Sequence, residues 1–292
     1  MYDPAGMPPI AQYVFNGVVT GGILALPAVA FSLLWRLLRF PNFAVSTYLT
    51  VGAYVALVLN HGVRASIELA WLGALVVTGA LALLVDRIAF RPMRDRRPFS
   101  LAIASIGVAF VLENVVRFVW GNDFRSYDVP VTRGMSVAGL RIGRDQLLIL
   151  GVAVVLMALA QAFLLRTRLG IAMRATADNP RLAAVKGVPT ERVIALATLG
   201  GGGLAGGAGV FLGLDASIDP LMGGGLIISV FAAAILGGIG SAPGALAGAL
   251  IVGIMEEVGM LVVPPTYKTA IGFTIILAVL LVRPTGLAGA RS

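Results

Sequence analysis

Long apolar runs separated by short polar connections set the pattern of this chain. Residues 15–34, 45–59, 69–85, 101–118, 147–165, 193–214, 245–263 and 270–282 are each predicted to form a membrane helix. The reason is length, since a hydrocarbon core of about 30 Å is crossed by about 20 helical residues. A ninth run, 226–239, is short for a simple span, and short or glycine-interrupted segments of this kind are expected as discontinuous or re-entrant helices. The predicted fold is therefore all-α, a polytopic integral membrane protein of eight to nine apolar helical segments, some broken or re-entrant. No compositional shift marks a linker, so residues 1–292 read as a single transmembrane domain. Within the run 193–214, Gly202, Gly206, Gly209 and Gly213 form a ridge of small residues on which another helix backbone can pack closely.

Composition agrees with a bilayer: 58% of the residues are apolar and 12% charged, too much apolar surface for a soluble globule of this size to cover. The net charge of +8 sits in the connections rather than on one face interleaved with aromatics, which favours membrane topology over nucleic-acid binding. With the connections 36–41, 86–98, 166–192 and the tail from Arg283 in the cytoplasm, 15 of the 22 basic residues lie inside. Arg64, Arg117, Arg125, Arg133, Arg141, Arg144 and Lys268 then lie outside, with the N-terminus outside, the C-terminus inside and an odd number of crossings. Residues 1–11 lack the basic start of a cleavable signal, so the first span is expected to be retained.

Candidate chemistry is sparse. Cysteine is absent and His61 is the only histidine, which excludes a disulfide, a reactive thiol or a histidine-rich metal site. Gly201, Gly203 and Gly206 spell G-x-G-x-x-G, but inside an apolar span with no preceding strand. There is no G-x-x-x-x-G-K-[ST] phosphate loop and no Ser, His and acid set, so the chain is expected to hold no ATP and to have no catalytic residues. Acids inside the spans are the remaining candidates: Glu113 beside Asn114, and Glu256 beside Glu257. Each costs about 2.5–3.5 kcal/mol at mid-membrane and needs a partner or a water path. An interhelical hydrogen bond and a role in transport are equally open.

The polar connection 166–192 is the most organised stretch, with six basic residues. Asn179 followed by Pro180 predicts a helix N-cap with proline at the first position. The short helix 181–186 is expected to end at Gly187 in a left-handed turn. Thr190 is expected to cap the next membrane helix, with Glu191 near its positive end. The product is a rigid, basic helical knuckle between two spans.

In order along the chain stand Asn16-Gly17, Asn42-Phe43-Ala44, Gly52-Ala53-Tyr54, and Arg87 with Arg91-Pro92. They are followed by Gly170-Ile171-Ala172-Met173-Arg174-Ala175 through Asn179 to Gly187-Val188, then Pro220, then Leu236-Gly237-Gly238-Ile239-Gly240-Ser241 with Gly244. Glu256 and Arg283-Pro284-Thr285-Gly286-Leu287 complete the set. This ordered set resembles the permease subunits of ABC importers for branched-chain amino acids, of the LivH type. The resemblance implies a half-channel in the bacterial cytoplasmic membrane. Its partners would be a second, related permease subunit, two cytoplasmic ATPase subunits that hydrolyse the ATP, and an extracytoplasmic substrate-binding protein. It also implies that Gly170, Arg174, Ala175, Asn179, Arg181 and Gly187 couple the chain to the ATPase, Arg174 and Arg181 as contacts. By the same analogy Asn16, Asn42, Phe43, Glu113, Asn114, Phe231 and Glu256 line the translocation path. Ser46 departs from a usual glycine, Glu257 from a small apolar residue, and Ser229 from a frequent lysine. The last departure leaves urea or a short amide open as substrate. A stand-alone proton-coupled transporter is the rival from another class.

Overall fold

The computed structural model describes residues 10–129, 135–137, 140–282 and 286–287. Helices α1 (Ile10–Leu38), α2 (Ala44–Gly62), α3 (Ile67–Val85) and α4 (Pro98–Trp120) come first. A two-stranded antiparallel hairpin follows, β1 (Met135–Val137) with β2 (Leu140–Ile142). Then come α5 (Arg144–Arg166), α6 (Arg168–Asp178), α7 (Pro180–Val185), α8 (Thr190–Asp215), α9 (Met222–Gly237), α10 (Ala242–Gly259) and α11 (Lys268–Val282). Among the described residues, eight helices are long and apolar enough to cross a membrane, and α9 is a shorter apolar helix of 16 residues. Most helices outrun their apolar runs, because polar flanks at the bilayer edge continue the backbone hydrogen bonding. α3 shows this best, running on through a π turn, Asp86–Phe90, and a 3-10 turn, Arg91–Met93.

Helix α1 is the axis of the bundle. In its apolar window 83% of residues are buried, against 22% in α4, 17% in α5 and 11% in the last span. Small residues let its neighbours approach: Gly17 lies against Ile254, and Gly21 against Leu250, both on α10. Those pairs make α1 and α10 antiparallel. The expected ridge on α8 is used throughout its length. Gly202 meets Ala82, Gly206 meets Thr78 and Gly52, Gly209 meets the Leu49 carbonyl, and Gly213 meets Tyr127 and Ile218. With little hydrophobic drive between helices in lipid, such close backbone packing is what holds α2, α3 and α8 together.

The chain ends and connections sort onto two faces. On the near face, Arg36 at the end of α1 reaches Asp178 and Gly240, Arg94 reaches Glu191, and Leu287 bonds Leu236. On the far face, Gln12 bonds Arg141, His61 bonds Ser126, and Arg125 bridges Ile218. The connections expected to share the cytoplasmic side thus share one face; Arg133, Arg283 and Arg291 lie outside the described residues. Helix α9, about 24 Å long at 1.5 Å per residue, still reaches from the far-face loop to the near-face turn at Gly240. The hairpin was not predictable from apolar periodicity, since its strands are three residues each. Beside it Tyr127 donates its hydroxyl to the Ala53 carbonyl at 3.1 Å, and burial holds that phenol well above its ordinary range, so it stays a donor.

Candidate functional site: a fastened knuckle and dispersed polar residues

The connection between α5 and α8 folds as two short helices, α6 and α7. Thr167 starts α6 by accepting from the Gly170 amide at 3.0 Å, an N-cap that leaves no capping box because the third position is glycine. A side chain at Gly170 would strike the carbonyls of Phe163 and Leu164. That glycine lets α6 fold back tightly over the last turn of α5. Asn179 caps α7 as expected, its Oδ1 accepting from the Leu182 amide at 3.0 Å, with Pro180 at the start. Gly187 adopts φ +84°, the left-handed turn expected of it. Thr190 departs from expectation: Pro189 holds the cap position of α8 and no side chain caps it. Proline there fixes the entry of the chain, leaving Thr190 as the first helical residue.

The arginines divide their work differently from a pair of outward contacts. Arg174 is half-buried and donates through Nη1 to the Leu164 carbonyl, so it ties α6 to the end of α5. Arg181 is exposed, as is Ala175. The tip of the knuckle is apolar, with Leu182 at 55% and Val185 at 83% exposure between Arg181 and Lys186.

Three further ties were not visible in the sequence. Arg36 donates to Asp178 Oδ1 at 2.9 Å and to the Gly240 carbonyl at 3.2 Å. Arg39, with φ +59°, donates to the Asp178 carbonyl at 3.2 Å. Two cations at the C-terminal end of α6 complement its dipole and its free carbonyls. Glu191 accepts from Arg91 at 3.1 Å and from Arg94 at 2.6 Å, and Arg94 also grips the buried Asp86 at 2.5 Å. The knuckle is thus fastened to the bundle at the α6–α7 junction and at the start of α8.

The polar residues expected to line a path do not form one cluster. Phe43 and Phe231 do meet, with ring centroids 4.8 Å apart, and Phe231 also packs on Phe31 at 4.3 Å. The Phe43 amide donates to Ser105 of α4 at 3.0 Å, and the buried Asn42 caps the turn through the Ala44 amide at 3.1 Å. Glu113 lies about 12 Å further along α4 at 1.5 Å per residue, 3.6 Å from Arg117 and beside Gly224. Asn114 is exposed and turned to its own helix at Phe110. Asn16, near the far face, accepts from Gln12 at 3.1 Å. Glu256 is fully buried among α9, α10 and α11, accepting from Ser229 at 2.5 Å beside Gly272. Its neighbour Glu257 joins Lys268 at 2.6 Å and Thr20 at 3.0 Å. Among the described residues no group of His, Cys, Asp and Glu could hold a metal ion.

Eight helices long and apolar enough to cross a membrane, a shorter apolar ninth and a helical knuckle fastened to one face define, among the described residues, a multi-pass membrane protein. Residues 13–280 match the family described as the permease component of branched-chain amino acid transport systems. The chain belongs to that family. It is 33% identical to the high-affinity branched-chain amino acid transport system permease protein LivH of Escherichia coli K12, over 95% of each chain. It is 32% identical to the corresponding permease protein BraD of Pseudomonas aeruginosa, over 97% of this chain and 98% of that one. The probable LivH of Methanocaldococcus jannaschii is 32% identical over 94% and 91%. A solved structure, PsaBC from Streptococcus pneumoniae in complex with Fab, shares the fold with a TM-score of 0.52 at 15% identity, over 94% of this chain and 92% of that one.

Proposed function

We propose that this chain is one membrane-embedded half of an ABC importer that carries branched-chain amino acids inward. The second half is a related permease subunit, and the near face is cytoplasmic, as the distribution of arginine and lysine favours. The α6–α7 knuckle docks on a cytoplasmic ATPase subunit, which binds and hydrolyses the ATP. Closure of two such subunits moves the knuckle as a rigid body. A substrate-binding protein delivers cargo to the far face. The observation that carries this reading is the knuckle itself: α6 and α7 are each capped by a side chain and the knuckle is fastened at Asp178 and Glu191, yet Leu182 and Val185 are exposed. A rigid apolar tip rimmed by Arg181 and Lys186 is a surface for a protein partner.

Branched-chain amino acids are favoured over urea or a short amide because the relatives that match over nearly the whole chain are permeases for branched-chain amino acids. Ser229, which stands where a lysine is frequent, is buried and donates to Glu256 between α9 and α10. A proton relay has less support, since Glu113 sits on α4 and Glu256 in a different seam. The test is purification of the chain from its native membrane, wild type beside Leu182→Glu with Val185→Glu. The expected result is an ATPase subunit recovered with the wild type and lost with the double variant. Wild type that recovers no ATPase and transports alone in liposomes would overturn the proposal.

A further inference from the structure

We infer that Arg36 is the positioning residue that ties movement of the α6–α7 knuckle to the turn between α9 and α10; the assignment rests on the reading of the knuckle as the coupling element. Helix α6 packs on α5, α7, α8 and the end of α1. Its apolar inner residues Leu169, Met173 and Ala177 instead border a crevice of about 1580 Å³, whose other wall includes Gly240, Ser241 and Pro243. Across that gap the link is polar. The Arg36 guanidinium spends one nitrogen on Asp178 Oδ1, 2.9 Å away at the C-terminal end of α6, and the other on the Gly240 carbonyl, 3.2 Å away.

The receiving end is built to feel it. Gly240 sits at φ +88° with its amide on the buried Ser32 hydroxyl at 2.7 Å, and a Cβ there would strike the Arg36 side chain itself. From this turn α9 runs to Phe231, which packs against Phe43 at the start of α2 with the rings tilted by 55°. A push on Asp178 therefore reaches α9 through one planar fork. The Arg36 and Asp178 side chains are 43% and 66% exposed, so the pair adds little to stability. What it supplies is geometry. A lysine keeps the charge but cannot make two divergent bonds at fixed angle.

The test uses the assembled complex in proteoliposomes, with substrate uptake per ATP hydrolysed as readout. Arg36→Ala, Arg36→Lys and Asp178→Ala are compared with wild type, and recovery of the ATPase subunit is scored for each. The expected result is undiminished recovery of the ATPase with uptake per ATP lowered about tenfold in all three, within the usual range for coupling between sites. Arg36→Ala combined with Asp178→Ala should be no worse than either alone. In parallel, spin labels on Ala184→Cys and Ile239→Cys should keep a fixed separation between nucleotide states in wild type and lose it in Arg36→Ala. Uptake per ATP unchanged in Arg36→Ala, or fully retained by Arg36→Lys, would overturn this assignment alone. Should Arg36→Ala fail to assemble, Asp178→Ala carries the same comparison. Failure of the wild type to recover an ATPase would overturn the coupling reading and this assignment together.

Discussion

At Gly187 a single backbone angle, φ +84°, turns the chain from α7 into the approach to α8. Nothing lies within 4 Å of where a Cβ would stand, so the requirement is conformational rather than steric. An alanine there costs about 1–2 kcal/mol in the left-handed region. Gly187→Ala is therefore expected to leave the bundle folded but to speed protease cleavage of 180–189 in the native state, by about tenfold for that cost. Cleavage at the wild-type rate would show that the turn is not strained by a side chain. Gly170 is the opposite case, since its φ is ordinary and its neighbours are backbone carbonyls of α5. Asn179 and Gly187 were legible because capping and turn chemistry act within four residues. The tie of the half-buried Arg174 to Leu164 was not legible, because that partner is set by how α6 folds back.

Among the elements, the seam of α2 and α8 depends on backbone contact. A side chain at Gly209 would enter the Leu49 carbonyl, and one at Gly52 would enter Gly206. Neither obstacle is a flexible side chain that could move aside. Gly107 on α4 and Gly151 on α5 face open space. Gly209→Ala is expected to collapse the monodisperse peak in size-exclusion chromatography, whereas Gly107→Ala and Gly151→Ala keep it and gain about 0.5–1 kcal/mol of helix propensity each. Equal behaviour of the three variants would show that α2 and α8 do not rely on close approach. The spacing of the ridge announced such packing, but not which helix would fill which gap. Helix α6 went unpredicted because Thr167 lacks the downstream Glu or Gln that would mark a start, and its mixed composition gives no long apolar run.

Taken whole, the molecule has two faces, and the near face carries the connections expected in the cytoplasm. Absence of cysteine makes the orientation easy to measure, since a single introduced thiol has no background. Ala184→Cys at the knuckle is expected to react with an impermeant maleimide only in inside-out vesicles, and Phe124→Cys, 77% exposed in the wild type, only in intact spheroplasts. The reverse pattern would invert the topology. By itself the sequence determined the class, the spans, the grouping of the basic connections on one face, the cap at Asn179 and the turn at Gly187. All of these follow from composition, periodicity and chemistry acting over a few residues. Only the tertiary structure decided that α1 is the axis, that Glu256 is sealed against Ser229, and that Arg36 and Arg94 fasten the knuckle to partners 142 and 97 residues away. The physical reason is that such partners are chosen by how helices cross, and a crossing leaves no local pattern in the chain.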